Sequence, residues 1–378
     1  MFIDIYALQT VPPSNINRDD TGSPKTAMYG GVRRARVSSQ AWKRAMRESF
    51  PEYLPEGSLG VRTKLAAELL AERIAEKRED LSDQASGIAT ALLNALGLKV
   101  EGSKRAGDDE GKNSTSYLVF IAQHELDKLA EVGVQWADEG VDLKKLDKKA
   151  KDRAKAAFSG TQAVDIALFG RMLADVPELN TDASSQVAHA ISVDKVTQEF
   201  DYFTAVDDCA SGDNSGAGMI GTVDFNSSTL YRYATVNVDS LYSQLGDAEA
   251  TSRGLAAFLE AFICSMPTGK QNTFANRTLP SYIVVSLREK QPINAVSAFE
   301  MPVKASEEGE PVSRLAAKRL GERIAQLEGV YDMKSSKAWY MSVDGALDEL
   351  AAVANEASVS EIVQGVCAEV ASTYHDGE

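Results

Sequence analysis

The order of compositional blocks constrains this 378-residue chain more than any single motif does. β-Forming sequence stands at 2–10, with Ile3, Ile5 and Tyr6, and again at 186–238 and 282–287, whereas residues 61–160 are rich in Ala, Leu, Glu and Lys. Strands drawn from such distant segments have to meet in one sheet with helices between them, so the pattern specifies an α+β fold. At 44% hydrophobic and 25% charged residues the chain can bury a sizeable core. Its length admits two or three units, or one large domain with insertions.

Amphipathic periodicity predicts helices over 62–80, 86–98, 143–158, 253–266, 313–328 and 345–373. The Gly-rich, charged stretch 101–115 reads as a mobile loop. Residues 11–31, punctuated by Pro12, Pro13, Gly22, Pro24, Gly30 and Gly31, form a loop longer than packing requires, and such loops are usually functional. Segments 186–208 and 222–238 flank the Gly/Ser/Asp stretch 209–221 as a long hairpin with a flexible tip.

Charge is unevenly placed. Forty Lys plus Arg against 55 Asp plus Glu give −15, which excludes a protein whose whole surface attracts nucleic acid. Yet residues 1–50 carry eight basic against four acidic residues, and from Lys25 to Arg47 there are seven cations and no acid. Salt screens exposed charges beyond about 8–10 Å, so a local basic surface binds phosphate despite a hostile total.

A short basic strand at 32–37, with Arg33, Arg34 and Arg36, leads to Ser38 or Ser39 as the cap of a helix reaching Phe50. At 100° per residue Gln40, Lys43, Arg44 and Arg47 form one stripe, while Trp42, Ala45, Met46 and Phe50 take the other side. An isolated cationic stripe is ordinarily a solvated face. Here no Glu stands among the cations to relieve their repulsion, and the neighbouring loop and strand add Arg18, Lys25, Arg33, Arg34 and Arg36. Lysines between 144 and 155 alternate with Asp142, Asp147 and Asp152 and read as a solvated helix face.

Other chemistries find little support. Three scattered Cys (209, 264, 367) form no disulfide framework or zinc site and indicate a reducing compartment. No signal sequence or membrane span is evident, so a soluble, cytoplasmic protein is expected. His124, His189 and His375 are too scattered for a metal site or triad, and His189 reads as a packed strand histidine. Thr268-Gly269-Lys270 fails as a phosphate loop because Cys264 and Gln271 occupy its Gly and Ser/Thr positions. Asp19-Asp20 and Asp207-Asp208 are paired carboxylates of the kind that bind hard metals, though adjacent Asp are common in loops. No cofactor is called for. What remains is a cationic groove with the aromatics Tyr202 and Phe203 on the hairpin, the combination used to bind single strands.

NRDD (17–20), YGG (29–31), RRARVSSQAWKRAMR (33–47), VDIALFGRM (164–172), FDYFTAVDD (200–208) and LYRYATVNV (230–238) together resemble the CasC-type backbone subunit of the type I-E CRISPR Cascade complex. The likeness runs in order to about residue 305 and weakens over the last 70 residues. It implies a hand-like α+β fold: a modified RNA-recognition-motif (ferredoxin-like) palm from 1–60, 164–189 and 227–378, helical fingers at 61–163 and a thumb hairpin at 190–226. It also implies copies stacked head to tail along a CRISPR RNA, partnered by other Cascade subunits, presenting the spacer to target DNA.

By that resemblance Arg18, Lys25, Ser38, Gln40, Lys43, Arg44 and Arg47 hold RNA phosphates, while Met172 and the Tyr202-Phe203 pair wedge against bases. Tyr202 stands where Trp is frequent. Lys270 and Gln271 match a family KQ pair without an assigned contact. The family member is not a nuclease. Related type III subunits cut RNA with an acidic palm-loop residue, which makes a metal-dependent endoribonuclease using Asp19 or Asp20 the alternative.

Overall fold

A computed structural model of the protein describes residues 1–55, 57–102, 113–205, 219–306 and 309–374. Its fold is α+β. The chain divides into two compact units, one from Met1–Tyr53, Ser185–Asp239 and 255–374, the other from Leu54–Ser184 and Ser240–Gly254.

The first unit is built on a ten-stranded sheet. Its strands are β1 (Phe2–Ser14), β2 (Thr26–Tyr29), β3 (Val32–Val37), β4 (Ser185–Val187), β5 (Ala190–Ser192), β6 (Glu199–Ala205), β7 (Met219–Asn237), β8 (Tyr282–Arg288), β9 (Lys337–Ser342) and β10 (Asn355–Glu356). The order is β10-β9-β8-β1-β7-β5-β3-β2, with β4 and β6 also pairing β7. β1 is central because it is apolar on both faces: Ile3, Ile5, Tyr6, Ala7 and Leu8 are all fully buried. It runs antiparallel to β7 (Tyr6 opposite Tyr233) and to β8 (Tyr6 opposite Val284). Rather than ending at residue 10 it continues to Ser14, with a register shift between Val11 and Ser14 where Pro12 and Pro13 cannot donate to the ladder.

One face of the sheet packs Tyr6, Leu8, Tyr231, Tyr233 and Val284 against Phe299 and the helix Val312–Val330 through Ala316, Leu320 and Ile324. Fully buried Asp4 anchors this side. Its carboxylate accepts from Arg288 Nε at 2.7 Å, Tyr233 OH at 2.8 Å and Ile293 N at 2.9 Å, and Arg288 also pairs with Glu328 of the helix at 2.9 Å.

Two expectations fail at the C-terminus. The expected helix 345–373 is a short helix Asp348–Ala351, then β10, then a helix Val359–Thr373 begun by a capping box of Ser358 and Glu361. β9 was not expected; its Trp339 and Tyr340 suit a strand, and Tyr340 is buried against the sheet face. The hairpin is also shorter than expected, because β4 and β5 join the main sheet and only β6 pairs with the outer part of β7. Residues 206–218, including Asp207, Asp208 and Cys209, and His375 lie outside the described residues, as does 103–112 of the Gly-rich loop.

In the second unit the helices Ala66–Lys77, Ser82–Ala95, Gln123–Asp138 and Lys148–Phe158 share a core of Leu70, Ile74, Ile88, Leu92, Leu129, Trp136 and Phe158. Gly133 permits a close approach, since a Cβ there would meet Ile88 Cγ2 at 2.9 Å. Asp147 caps the last helix by accepting from Ala150 N at 2.7 Å. Residues 164–184 stay with this unit, and the chain re-enters the sheet at Ser185.

Candidate nucleic-acid interface

The basic helix forms over Ser39–Ser49, one residue after its cap. Ser38 Oγ accepts from Ala41 N at 3.3 Å, and Trp42, Ala45 and Met46 are buried against the sheet. Gln40 and Arg44 are exposed, Lys43 and Arg47 half-buried. Burial pushes the Lys43 pKa down from its ordinary value. The stripe derived from helical spacing is therefore the helix's outward face.

The long loop is folded tightly against the start of that helix. Asn17 Oδ1 accepts from Ser38 N and its carbonyl accepts from Lys25 N, both at 2.9 Å. Asn15 Nδ2 donates to the carbonyls of Gly22 and Asp224, both at 2.9 Å. Asp224 in turn accepts from Ser23 Oγ at 2.5 Å and Gln198 Nε2 at 2.7 Å, which ties the loop to the root of the hairpin. Exposed Arg18 and half-buried Lys25 thus stand beside the helix N-terminus on a braced backbone.

A second loop abuts the first. A Cβ on Gly269 would lie 2.3 Å from the Ile16 carbonyl oxygen, so only glycine fits there. This brings Lys270 and Gln271 to the Arg18 loop, where Asn17, Arg18, Asp19, Asp20 and Gly269 line one depression. Lys270 adopts φ +52°, a strained conformation for a side-chain-bearing residue, and Phe274 packs on Phe225 at the hairpin root with centroids 5.8 Å apart.

On the hairpin, cross-strand partners share a face, so the adjacent Tyr202 and Phe203 point to opposite sides. Tyr202 (63% exposed) lies with Phe200 and Ile220, and Phe203 (37%) lies over Gly221 with Met219. Met172 belongs to the second unit. It is 79% exposed and follows Arg171, whose guanidinium pairs with Glu125 at 2.8 Å inside that unit and stacks over Phe158.

Residues 3–365 match the sequence model of the CT1975-like protein family. The chain belongs to that family. Among solved structures it is 34% identical to a chain of a pre-nicking CRISPR RNA-guided surveillance complex, covering 98% of this chain and all of that one with a TM-score of 0.84. It is 30% identical to a chain of another CRISPR RNA-guided surveillance complex, over 98% of this chain and 100% of that one, with a TM-score of 0.74. No curated protein matches it.

In this CT1975-like protein several sequence-based assignments are revised. Arg34 is fully buried and donates to the carbonyls of Tyr29, Ser192, Phe299 and Glu300. It holds the sheet to the segment after Phe299. Gly30 serves the same junction, since a Cβ there would collide with the Glu300 carbonyl. Arg33 is exposed. Ser38 is buried, its hydroxyl engaged as the helix cap and its N–H by Asn17. Glu48 lies just past the acid-free run yet reaches back to Arg44 Nε at 2.7 Å, an exposed pair of small worth.

Asp19 braces its own turn, accepting from Thr21 N, Thr21 Oγ1 and Ser23 N at 2.7–3.0 Å. The Thr21 hydroxyl bond is the main cause of its lowered pKa. Among the described residues no three His, Cys, Asp or Glu side chains are grouped to hold a metal ion.

His189 is exposed in the gap between β4 and β5 and not packed in a strand, with Nδ1 3.1 Å from Arg36 Nη1. Desolvation, then the charges of Arg36 and Lys25, push its pKa down. Nothing in the sequence pointed to it; the pairing of Arg36 with Ile191 and Val37 with Ala190 places it beside the cationic path.

Proposed function

We propose that this protein is a non-catalytic CRISPR RNA-binding backbone subunit of a type I-E-like surveillance complex. The observation that carries the reading is the outward stripe of Gln40, Lys43, Arg44 and Arg47 beside a braced loop presenting Arg18 and Lys25, in a chain whose full-length relatives are components of CRISPR RNA-guided complexes. Such a surface follows a phosphate backbone without reading sequence. In this reading the sheet unit is an RNA-recognition-motif-like palm, the helical unit the fingers, and β6 with the outer half of β7 the thumb. Copies stack head to tail along the crRNA, a heterologous contact that builds filaments and does not close. The filament presents the spacer to target DNA alongside other Cascade-type subunits, in the cytoplasm. Among the described residues no helix is long and apolar enough to cross a membrane.

The acidic remainder of the surface, within a total of −15, discourages nucleic acid off the path. Size-exclusion light scattering with and without crRNA tests the assembly. RNA-dependent growth is expected, and a particle of constant mass at saturating RNA overturns the backbone reading.

A further inference from the structure

Arg232 lies on β7 opposite Ala7, on the sheet face that the basic helix covers. It is 1% exposed. Its guanidinium carbon stands 3.7 Å from the Trp42 ring centroid and 4.5 Å from that of Phe262. Nη1 donates to Gln9 Oε1 at 2.6 Å and Nη2 to the Phe262 carbonyl, while Nε has no partner.

The other buried arginines among the described residues are compensated. Arg288 meets Asp4 and Glu328, Arg171 meets Glu125, and Arg34 has four carbonyls and the nearby charge of Asp194. Arg232 has no carboxylate. Burial pushes its pKa down to about 9, opposed only by the Cys264 thiol. An unpaired buried charge destabilises a fold unless something outside balances it.

Trp42, which covers the guanidinium, is on the inner face of the helix whose outer face carries Lys43, Arg44 and Arg47. We propose that Arg232 is a buried, non-contacting cation of the nucleic-acid interface, balanced by phosphates held on the outer face of that helix. This rests on the assignment of the helix to RNA phosphates. A helix with its side chains is about 10–12 Å across, and the space is filled by protein, which screens far less than salt water. At that separation a unit charge changes anion affinity by about three- to tenfold. Arg232 positions nothing by touch; it sets the potential under the stripe.

The test compares Arg232→Met, Arg232→Gln and Arg232→Lys in the full chain, with affinity for a short single-stranded RNA measured over a range of salt. Met keeps bulk, Gln keeps a donor for Gln9 Oε1, and Lys keeps the charge when all variants are compared at about pH 6, because the burial that lowers Arg232 brings a lysine there toward neutrality. The neutral variants are expected to weaken binding about three- to tenfold while leaving the log–log salt slope at the wild-type value, because no phosphate contact is lost; Lys43→Ala lowers that slope. Arg232→Lys is expected to bind within about twofold of wild type. Should Arg232→Met not fold, Arg232→Gln carries the comparison. Wild-type affinity in the folded neutral variants, or an equal loss in Arg232→Lys, overturns the proposal. A Lys43→Ala, Arg44→Ala, Arg47→Ala protein that binds RNA normally would instead remove the reading on which it rests.

Discussion

Asn17 accepts the backbone N–H of Ser38 through Oδ1 at 2.9 Å, so one side chain joins the Arg18 loop to the start of the basic helix. Asn17→Ala leaves that N–H without its partner, and a loss of about 1 kcal/mol in stability is expected. The larger effect falls on binding, since Arg18 and Lys25 lose their fixed position beside the helix. RNA affinity should drop while the far-ultraviolet circular dichroism spectrum stays unchanged. Unaltered affinity would mean that the loop needs no such brace.

Lys43→Ala with Arg44→Ala should reduce RNA affinity on every sequence tested. Each phosphate contact removed from a single strand lowers the slope of log K against log salt by about 0.7. The double variant is therefore expected to flatten the slope by about 1.4. Arg44 is exposed and only weakly held by Glu48, so it is free to turn to a phosphate. A parallel shift with no change of slope would place the contacts elsewhere.

His189 supplies a pH dependence. Its folded pKa is lowered, so its neutral form is favoured, and its contribution to stability is present above the ordinary histidine range and fades as pH falls. RNA phosphates near Lys25 and Arg36 would offset the charges that depress it and raise its pKa on binding. RNA affinity should then rise as pH drops from about 7.5 to about 6 in the wild type, and less steeply in His189→Gln. Identical pH profiles for the two proteins would exclude His189 from the path.

The basic stripe and the α+β class were legible because both depend on local periodicity: Trp42, Ala45 and Met46 had to face inward once the helix was assumed. The burial of Arg34 is not legible, for the opposite reason. A charged residue in a basic run resembles its neighbours until tertiary structure supplies carbonyls from Ser192 and Phe299, more than 150 positions away. His189 and Arg232 likewise gain their surroundings from sheet register, which joins Arg36 to Ile191 and Ala7 to Arg232. The capping box at Ser358 and Glu361 was present in the sequence as S-x-x-E, and it is what separates the last helix from the segment before it.

Within the helical unit, Arg171 and Glu125 form an ion pair in which both side chains are 2% exposed. Removing one partner strands the other charge, so Arg171→Met alone should cost about 3–5 kcal/mol in urea unfolding. Arg171→Met with Glu125→Leu should recover part of that loss. A double variant as unstable as the sum of the singles would show that the charges are not coupled. Met172 follows Arg171 directly, and the single variant is also expected to loosen its presentation.

Tyr202 and Phe203 are neighbours in sequence, but the strand sends them to opposite faces of the hairpin, so they cannot stack on the same base. If Tyr202 stacks, Tyr202→Ala should weaken RNA binding by about 1–3 kcal/mol, with Tyr202→Phe close to wild type. Phe203 leans on Gly221, where a Cβ would lie 2.5 Å from its ring, and Gly221→Ala should push that ring outward without touching Tyr202. Because the two aromatics act on separate faces, Tyr202→Ala and Phe203→Ala should add, with a coupling energy under about 0.5 kcal/mol. A coupling above about 1 kcal/mol would mean that both rings meet one group, and the two-faced geometry would not describe the bound hairpin.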